Sequence, residues 1–495
     1  MRLVGPVLYF RGQAEDDRWR LSALVVHPEG EQAPPLEPEN EAPVTAAPLA
    51  SRRGRGLWRH DFAFRLGGEA GREARYAIGG EAWTVHLPPA GGGRRLAYTA
   101  CNGVQDEGEG GHPGDPGWPA RNALWRGLAA EHARDPFHLL LQGGDQLYAD
   151  SLWDEVPSLA AWRRLPWKEG NEAPFTAEMA DGADRYYLER YSWLWSQPEL
   201  APLLASIPSV MMWDDHDIFD GWGSWPADRQ GCPVFRGVHA IARDHFALFQ
   251  LAARPRALPE GFADRQGVHF GCAFRVGREM GVVAPDLRSE RTRERIMGEV
   301  GWRDFVAMIG SMKGCRHLLV MSSVPLVNTD LSPVERLLAA IPGHADLEDD
   351  LRDQWQSYTH RAEWRRMLEA LVAFSARTGA RVTSLSGEIH LGALGLVEGD
   401  RGVRIHELTS SGVVNPPPPA GLVAVYELLG RRPMRPGPGL LVRLLAIPGH
   451  GRRYLRERNW LSLAAAGDGR FEAAWHAERG EAGRLAVAGA GNDTP

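Results

Sequence analysis

Three short acidic stretches lie far apart in the chain, and each closes an apolar run: Gly143-Gly144-Asp145-Gln146-Leu147-Tyr148, Trp213-Asp214-Asp215-His216-Asp217 and Ser386-Gly387-Glu388-Ile389-His390. A carboxylate withdrawn from water is costly to keep ionised, so carboxylates gathered at strand ends need a compensating positive charge. Metal ions supply that charge, and the accompanying His and Tyr side chains are themselves metal ligands. The chemistry to expect is metal-dependent hydrolysis.

Each stretch also has a plainer reading. Gly144 lets the backbone turn off its strand and sets Asp145 at the tip, yet Asp145 serves equally as a helix N-cap with Tyr148 packed beneath it. The second stretch crowds three carboxylates and an imidazole into four positions, which fits a metal or acid/base site, or else a solvated acidic turn. In extended geometry Glu388 and His390 point to the same side, as two ligands of one centre should; a lone strand histidine is otherwise satisfied by a hydrogen bond in the core.

These residues need strands and helices to position them. Leu96 to Ala100, His138 to Leu141, Val210 to Trp213, Val282 to Ala284, Leu318 to Met321, Val382 to Leu385 and Ile405 to Leu408 read as short buried strands. Helices are expected over Arg185 to Trp195, Val238 to Ala253 and Leu351 to Ala376, the last with Trp355, Tyr358, Trp364, Met367, Leu368 and Leu371 as core. The alternation implies an α/β domain whose ligand site lies beyond the carboxyl ends of its strands. Before it, residues 1–94 read as a small β-sandwich: strands over Trp19 to Val26 and Leu57 to Leu66, a hairpin over Arg75 to Leu87 around Gly79-Gly80, and a mobile Pro/Glu-rich loop from Glu29 to Pro48. The expected division is 1–94, 95–419 and 420–495, the last a β extension after Pro416-Pro417-Pro418-Pro419 that ends in a disordered tail from Gly489. The loop Asp220 to Pro226 is either a lid or a stiff packed loop, and Asp106 to Pro119, with His112, is expected to be solvated.

The 495 residues accommodate one large catalytic domain with smaller modules. A net charge of −7 disfavours bulk nucleic acid as a partner. No stretch approaches the roughly 20 apolar residues of a membrane span, and no leader is evident, so a cytoplasmic protein is expected. Cys101, Cys232, Cys272 and Cys315 form no CxxC pair, which argues against a zinc ribbon or a disulfide framework.

Taken together, the segments from about Tyr98 to Pro419 resemble the PhoD-like (alkaline phosphatase D) branch of the calcineurin-like metallophosphoesterases. The resemblance rests on Thr99-Ala100-Cys101-Asn102, the three acidic stretches, Asp286-Leu287-Arg288-Ser289-Glu290-Arg291 and His406-Glu407-Leu408-Thr409-Ser410-Ser411. It implies a four-layer αββα fold and a binuclear centre, Fe3+ with Ca2+ or another divalent cation. By the same resemblance Cys101, Asp145, Tyr148, Asp215, Glu388 and His390 are the metal ligands, with Asp145 bridging. His216 stands beside the leaving group, and Arg288, with Arg291, holds phosphate oxygens. The implied reaction is hydrolysis of a small-molecule phosphate ester by a metal-bridging hydroxide. A phosphodiesterase or nucleotidase of the same fold, and a metal-depleted binding protein, are the alternatives. Glu388 departs from the family pattern, which usually has Asp; its extra methylene shifts the carboxylate by roughly 1 Å, against a tolerance of about 0.2 Å at a metal.

Overall fold

The computed structural model describes residues 2–13, 17–105, 121–332, 353–466 and 470–487. The solvated loop expected at 106–119 and the tail at 489–495 lie outside them. The seven apolar runs of the α/β region all form strands: Arg94–Thr99, Leu139–Gly143, Ser209–Met212, Met280–Ala284, His317–Ser322, Arg381–Ser386 and Arg404–Thr409. Their residues are almost wholly buried because each strand is covered on both faces.

Two sheets result. In the ten-stranded sheet, Arg94–Thr99, Leu139–Gly143, Ser209–Met212 and Val4–Gln13 run parallel side by side. In the eight-stranded sheet, Met280–Ala284, His317–Ser322, Arg381–Ser386 and Arg404–Thr409 do the same. Alternation along one strand shows the layering. Leu319 and Met321 face the other sheet in one apolar cluster, whereas Leu318 and Val320 face the helices Glu299–Ser311 and Arg361–Thr378 in a second. Helices Ala123–Arg134, Ala177–Leu194 and Pro233–Phe249 pack into the first cluster with the ten-stranded sheet. The order helix, sheet, sheet, helix is the expected four-layer αββα arrangement.

The N-terminal region is strand-rich. Arg18–Pro28, Arg55–Arg65 and Ala47–Arg52 extend the ten-stranded sheet beyond Val4–Gln13. A separate sheet of Leu36–Pro38, Arg72–Ile78 and Glu81–Leu87 packs on it through Phe62 and Tyr76, whose rings lie 5.6 Å apart. The hairpin turns on Gly79 and Gly80, both at positive φ. At the other edge Asn459–Ala465, Phe471–Ala477 and Gly480–Val487 continue the sheet from Arg94–Thr99.

Three expectations change. The stretch from Glu29 to Pro48 is not a bare loop: Leu36 and Pro38 are buried, and their strand pairs with Arg72–Ile78. Alternate apolar residues prevail there over Pro/Glu composition. The long helix begins at Arg361 rather than Leu351, and Trp355 and Tyr358 lie before it in hydrogen-bonded turns (Ser357 N to Gln354 O, 3.1 Å; His360 N to Ser357 O, 3.1 Å). After Pro416–Pro419 comes a helix, Ala420–Leu429, where only strands were expected. Among the described residues no helix is long and apolar enough to cross a membrane.

Candidate metal centre

The exits of the parallel strands from both sheets converge, and backbone hydrogen bonds tie them together. Cys101 N donates to Gly144 O (3.2 Å), Asn102 N to Asp145 O (2.7 Å), Gly387 N to Ser323 O (3.0 Å) and Val414 N to Cys101 O (3.2 Å). Leu139–Gly143 leaves its sheet through Gly144 at φ +104°, followed by Asp145 at +52°. A Cβ on Gly144 would sit 2.8 Å from Asp214 Cβ, so glycine is what allows two carboxylate-bearing turns to meet.

At this junction Asp145, Asp215 and His216 each offer a ligand atom, all within 4.8 Å of one another. Cys101 Sγ lies 3.5 Å from Asp145 Oδ2 and 3.0 Å from Ser411 Oγ. The Tyr148 ring stacks on His216 with centroids 4.2 Å apart, and its hydroxyl is 3.1 Å from His390 Nε2. Glu388 connects differently: both its oxygens accept from Gln354 Nε2 at 2.8 Å. Glu388 and His390 do not project from an extended strand as expected. Both have positive φ (+65° and +53°) in a turn that follows Arg381–Ser386.

Arg288 has partners other than the expected phosphate oxygens. Its Nε donates to Asp214, Nη1 to Asp353 (2.8 Å) and Trp222 O (3.2 Å), and Nη2 to Asp353 (2.6 Å) and Asp215 (3.2 Å). Its side chain has no exposure at all. Arg291 also pairs with Asp353, at 3.0 Å, but keeps Nε and Nη1 without a protein partner. The loop Asp220–Pro226 belongs to the packed alternative: Trp222 stacks on His239 (4.3 Å), and Ser224 Oγ donates to Asp353 (2.8 Å).

Electrostatics follow this packing. Burial, reinforced by the Asp214 charge, holds Asp145 well above the usual carboxylate range. Burial likewise pushes Asp214 up to about 6, against the pull of Arg288. Burial would also raise Asp353, but Arg288 and Arg291 override it and hold that carboxyl low. Burial opposes the charge on His216, and the Asp150 and Asp215 carboxylates outweigh it, so its pKa stands well above the ordinary imidazole value. His390 is driven down to about 3 by burial and by the His216 charge. Burial raises both Cys101 and Tyr148, with Asp145 and Cys101 respectively adding to it.

Several contributors had no clear sequence signal. Asp150 accepts from His216 Nδ1 at 2.8 Å and receives Asp220 N at 2.7 Å; its place two residues after Tyr148 was the available clue. Asp353 and Gln354 lay in a stretch read as helix, and Ser323 donates to Asp214 (2.8 Å) from a segment without acidic residues. Whether the cluster suits a cation can be judged from its orphaned atoms. Asp145 Oδ1 and Asp214 Oδ2 are buried with no protein hydrogen-bond partner, an arrangement that native interiors seldom tolerate. With oxygen, nitrogen and sulfur donors alongside, the residues fit a metal site. A cavity of about 1190 Å³ lies elsewhere, at the opposite ends of the same strands, lined among others by Arg94, His317, Arg381 and Arg404.

Residues 119–344 match the family of PhoD related phosphatases. An uncharacterized protein of Saccharomyces cerevisiae is 27% identical over 391 residues, which are 62% of this chain and 56% of that protein. The chain thus spans little more than half the length of that curated relative. Among solved structures, PhoD superposes with a TM-score of 0.58 at 13% identity, over 98% of this chain and 92% of its own. The purple acid phosphatase PPD1 from yellow lupin (Lupinus luteus) seeds gives 0.56 at 10% identity, over 98% and 74%. Both carry the metallophosphoesterase fold described above.

Proposed function

We propose that the chain is a PhoD-like metallophosphoesterase and that it hydrolyses phosphate esters at the cluster of Asp145, Asp215 and His216. The observation that carries the reading is this triad's closeness, within 4.8 Å, beside buried carboxylate oxygens that no protein donor satisfies. Asp145 and Asp215 would hold a cation, with Cys101, Tyr148 and His390 beside them to complete a second position; Glu388 would join them only by leaving Gln354. Iron with calcium or another divalent cation is the pair the family resemblance implies. When bound, such ions activate water and offset charge on the phosphoryl oxygens.

The chain's own groups do the rest. Asp150 accepts from His216 Nδ1, which fixes the ring and leaves Nε2 to hydrogen-bond to, or protonate, the departing oxygen. Arg288 acts as a positioning residue: it holds Asp214, Asp215 and Asp353 in place and neutralises part of their charge. The substrate is a small phosphate ester, and the comparison of an aryl monoester with the matching bis-aryl diester separates the two ester classes.

Elemental analysis of gently purified protein, paired with phosphate release from both esters, tests the proposal. Bound cation and activity are expected, both lost in Asp145→Asn with the thermal melt preserved. Full activity in that variant would overturn it. One observation favours the metal-depleted binding protein instead: the Arg288 guanidinium already sits among three carboxylates and supplies the fixed positive charge they need. A wild-type chain that takes up no cation on reconstitution would select that reading.

A further inference from the structure

The helix Ala420–Leu429 is inverted relative to an ordinary surface helix, which turns its charged residues to water and its apolar ones to the core. Here the polar groups face inward. Glu427 accepts from Arg453 N (3.1 Å) and Tyr454 N (3.3 Å), and its carboxylate lies 3.3 Å from the Arg453 guanidinium. Val423 is buried in the core and half-buried Tyr426 packs against it, the Tyr426 carbonyl accepting from Thr329 Oγ1 at 3.1 Å. Outward the helix presents Leu422, Val425 and Leu428, which are 43%, 48% and 61% exposed, with exposed Gly421 and Ala424 beside them.

Immediately beyond its C-terminus come Arg431, Arg432 and Arg435, all exposed. None of the three guanidinium groups has an ion-pair partner among the described residues. The chain as a whole carries −7, so this basic cluster is a local feature. An apolar strip bordered by unpaired arginines is the chemistry of a helix lying in the headgroup region of an anionic bilayer. Ten residues are too few to span one, so the helix would lie flat. A second copy of the chain fits the strip less well, because the one acidic residue of this helix, Glu427, is turned inward and offers nothing to neutralise the arginines.

We propose that this face docks on an anionic lipid surface, with Leu422, Val425 and Leu428 inserted and Arg431, Arg432 and Arg435 against the headgroups. The helix follows Asn415, whose N–H donates to Cys101 O at 3.3 Å, after only Pro416–Pro419. Four residues of extended proline chain cover about 12 Å, so docking brings the metal cluster near the lipid surface. The proposal itself does not depend on catalysis.

The test is co-sedimentation of the full chain with vesicles of phosphatidylcholine alone and with phosphatidylserine added. Binding is expected to the anionic vesicles, weakened by salt. Leu422→Ser, Val425→Ser and Leu428→Ser combined should lower it at least tenfold, and Arg431→Glu, Arg432→Glu and Arg435→Glu combined by ~100-fold. All six residues are exposed, so thermal melts should match the parent. No binding, equal binding to neutral vesicles, or unchanged binding in either variant overturns the proposal. So does a dimer in light scattering that the apolar substitutions dissociate while vesicles leave it intact, since the face would then belong to a second copy.

Discussion

At Arg288 all three guanidinium nitrogens are committed, and the partners are the carboxylates of Asp214, Asp215 and Asp353. Paired and buried, such a group adds little net stability; removing it leaves its partners charged and dry. Arg288→Met is therefore expected to destabilise the fold by about 3–5 kcal/mol in urea denaturation, the cost of orphaning buried carboxylates. A loss within experimental error would mean that these carboxylates have another counter-charge. Asp353→Asn leaves the Arg288 guanidinium with Asp214 and Asp215 but takes from buried Arg291 its carboxylate partner, so it should destabilise the fold as well in the same denaturation. Asp145, Asp215 and His216 were legible because motif and strand end coincide in one segment. Asp353 was not, because it meets Arg288 only through tertiary packing, and nothing within ten residues of it distinguishes it from a helical acid.

Among the elements, strand ends carry most of the site, and glycine decides whether two of them can approach. Gly144 has φ +104° and no room for a Cβ beside Asp214. Gly144→Ala should therefore reduce cation uptake by more than tenfold while leaving most of the strand core intact. Near-wild-type stoichiometry in elemental analysis would contradict the geometric argument. The strands were readable because burial on both faces leaves continuous apolar runs; Val4–Gln13 escaped because Gly5-Pro6 interrupts its run. The Glu388 segment was misread for a related reason: a period-2 argument holds only while the chain stays extended, and here φ turns positive. A peripheral junction offers a pH test. The Asp184 carboxylate receives His245 Nε2 at 3.0 Å and pairs with Arg53 at 3.0 Å, which joins helix Ala177–Leu194 to Pro233–Phe249 and to the turn after Ala47–Arg52. The His245 hydrogen bond, against burial, lowers its pKa below the ordinary value. A depressed carboxyl pKa stabilises the fold above the unfolded value near 4 and loses that contribution as pH falls through the folded value. Asp184→Asn should cost about 1 kcal/mol at pH 7, and the gap between variant and parent in thermal melts should close toward pH 3. A gap constant across that range would assign the effect to packing.

At the scale of the molecule, one ten-stranded sheet takes strands from the beginning, middle and end of the chain. Val4–Gln13 runs parallel to Ser209–Met212, the strand that delivers Trp213 through Asp217, and Tyr9 donates from its hydroxyl to Phe249 O. Asn459–Ala465 covers the other side of Arg94–Thr99, whose exit carries Cys101, and Trp475 Nε1 reaches across to Thr409 O at 2.9 Å. Removing residues 1–94 would strip Leu8, Tyr9, Phe10 and Trp19 from the core, remove Arg94 from its strand and open an unpaired edge beside the acidic turn. An exposed edge with apolar faces is a template for aggregation. A chain reduced to residues 95–495 is thus expected to be insoluble or to bind no cation, although every candidate ligand remains in it. Deleting 459–487 should act in the same way by exposing the opposite side of Arg94–Thr99. The full chain should unfold as one unit when followed by tryptophan fluorescence and circular dichroism together. A soluble 95–495 fragment with parental cation stoichiometry would show that the N-terminal strands are an accessory layer, and that the central strands hold the candidate ligands alone.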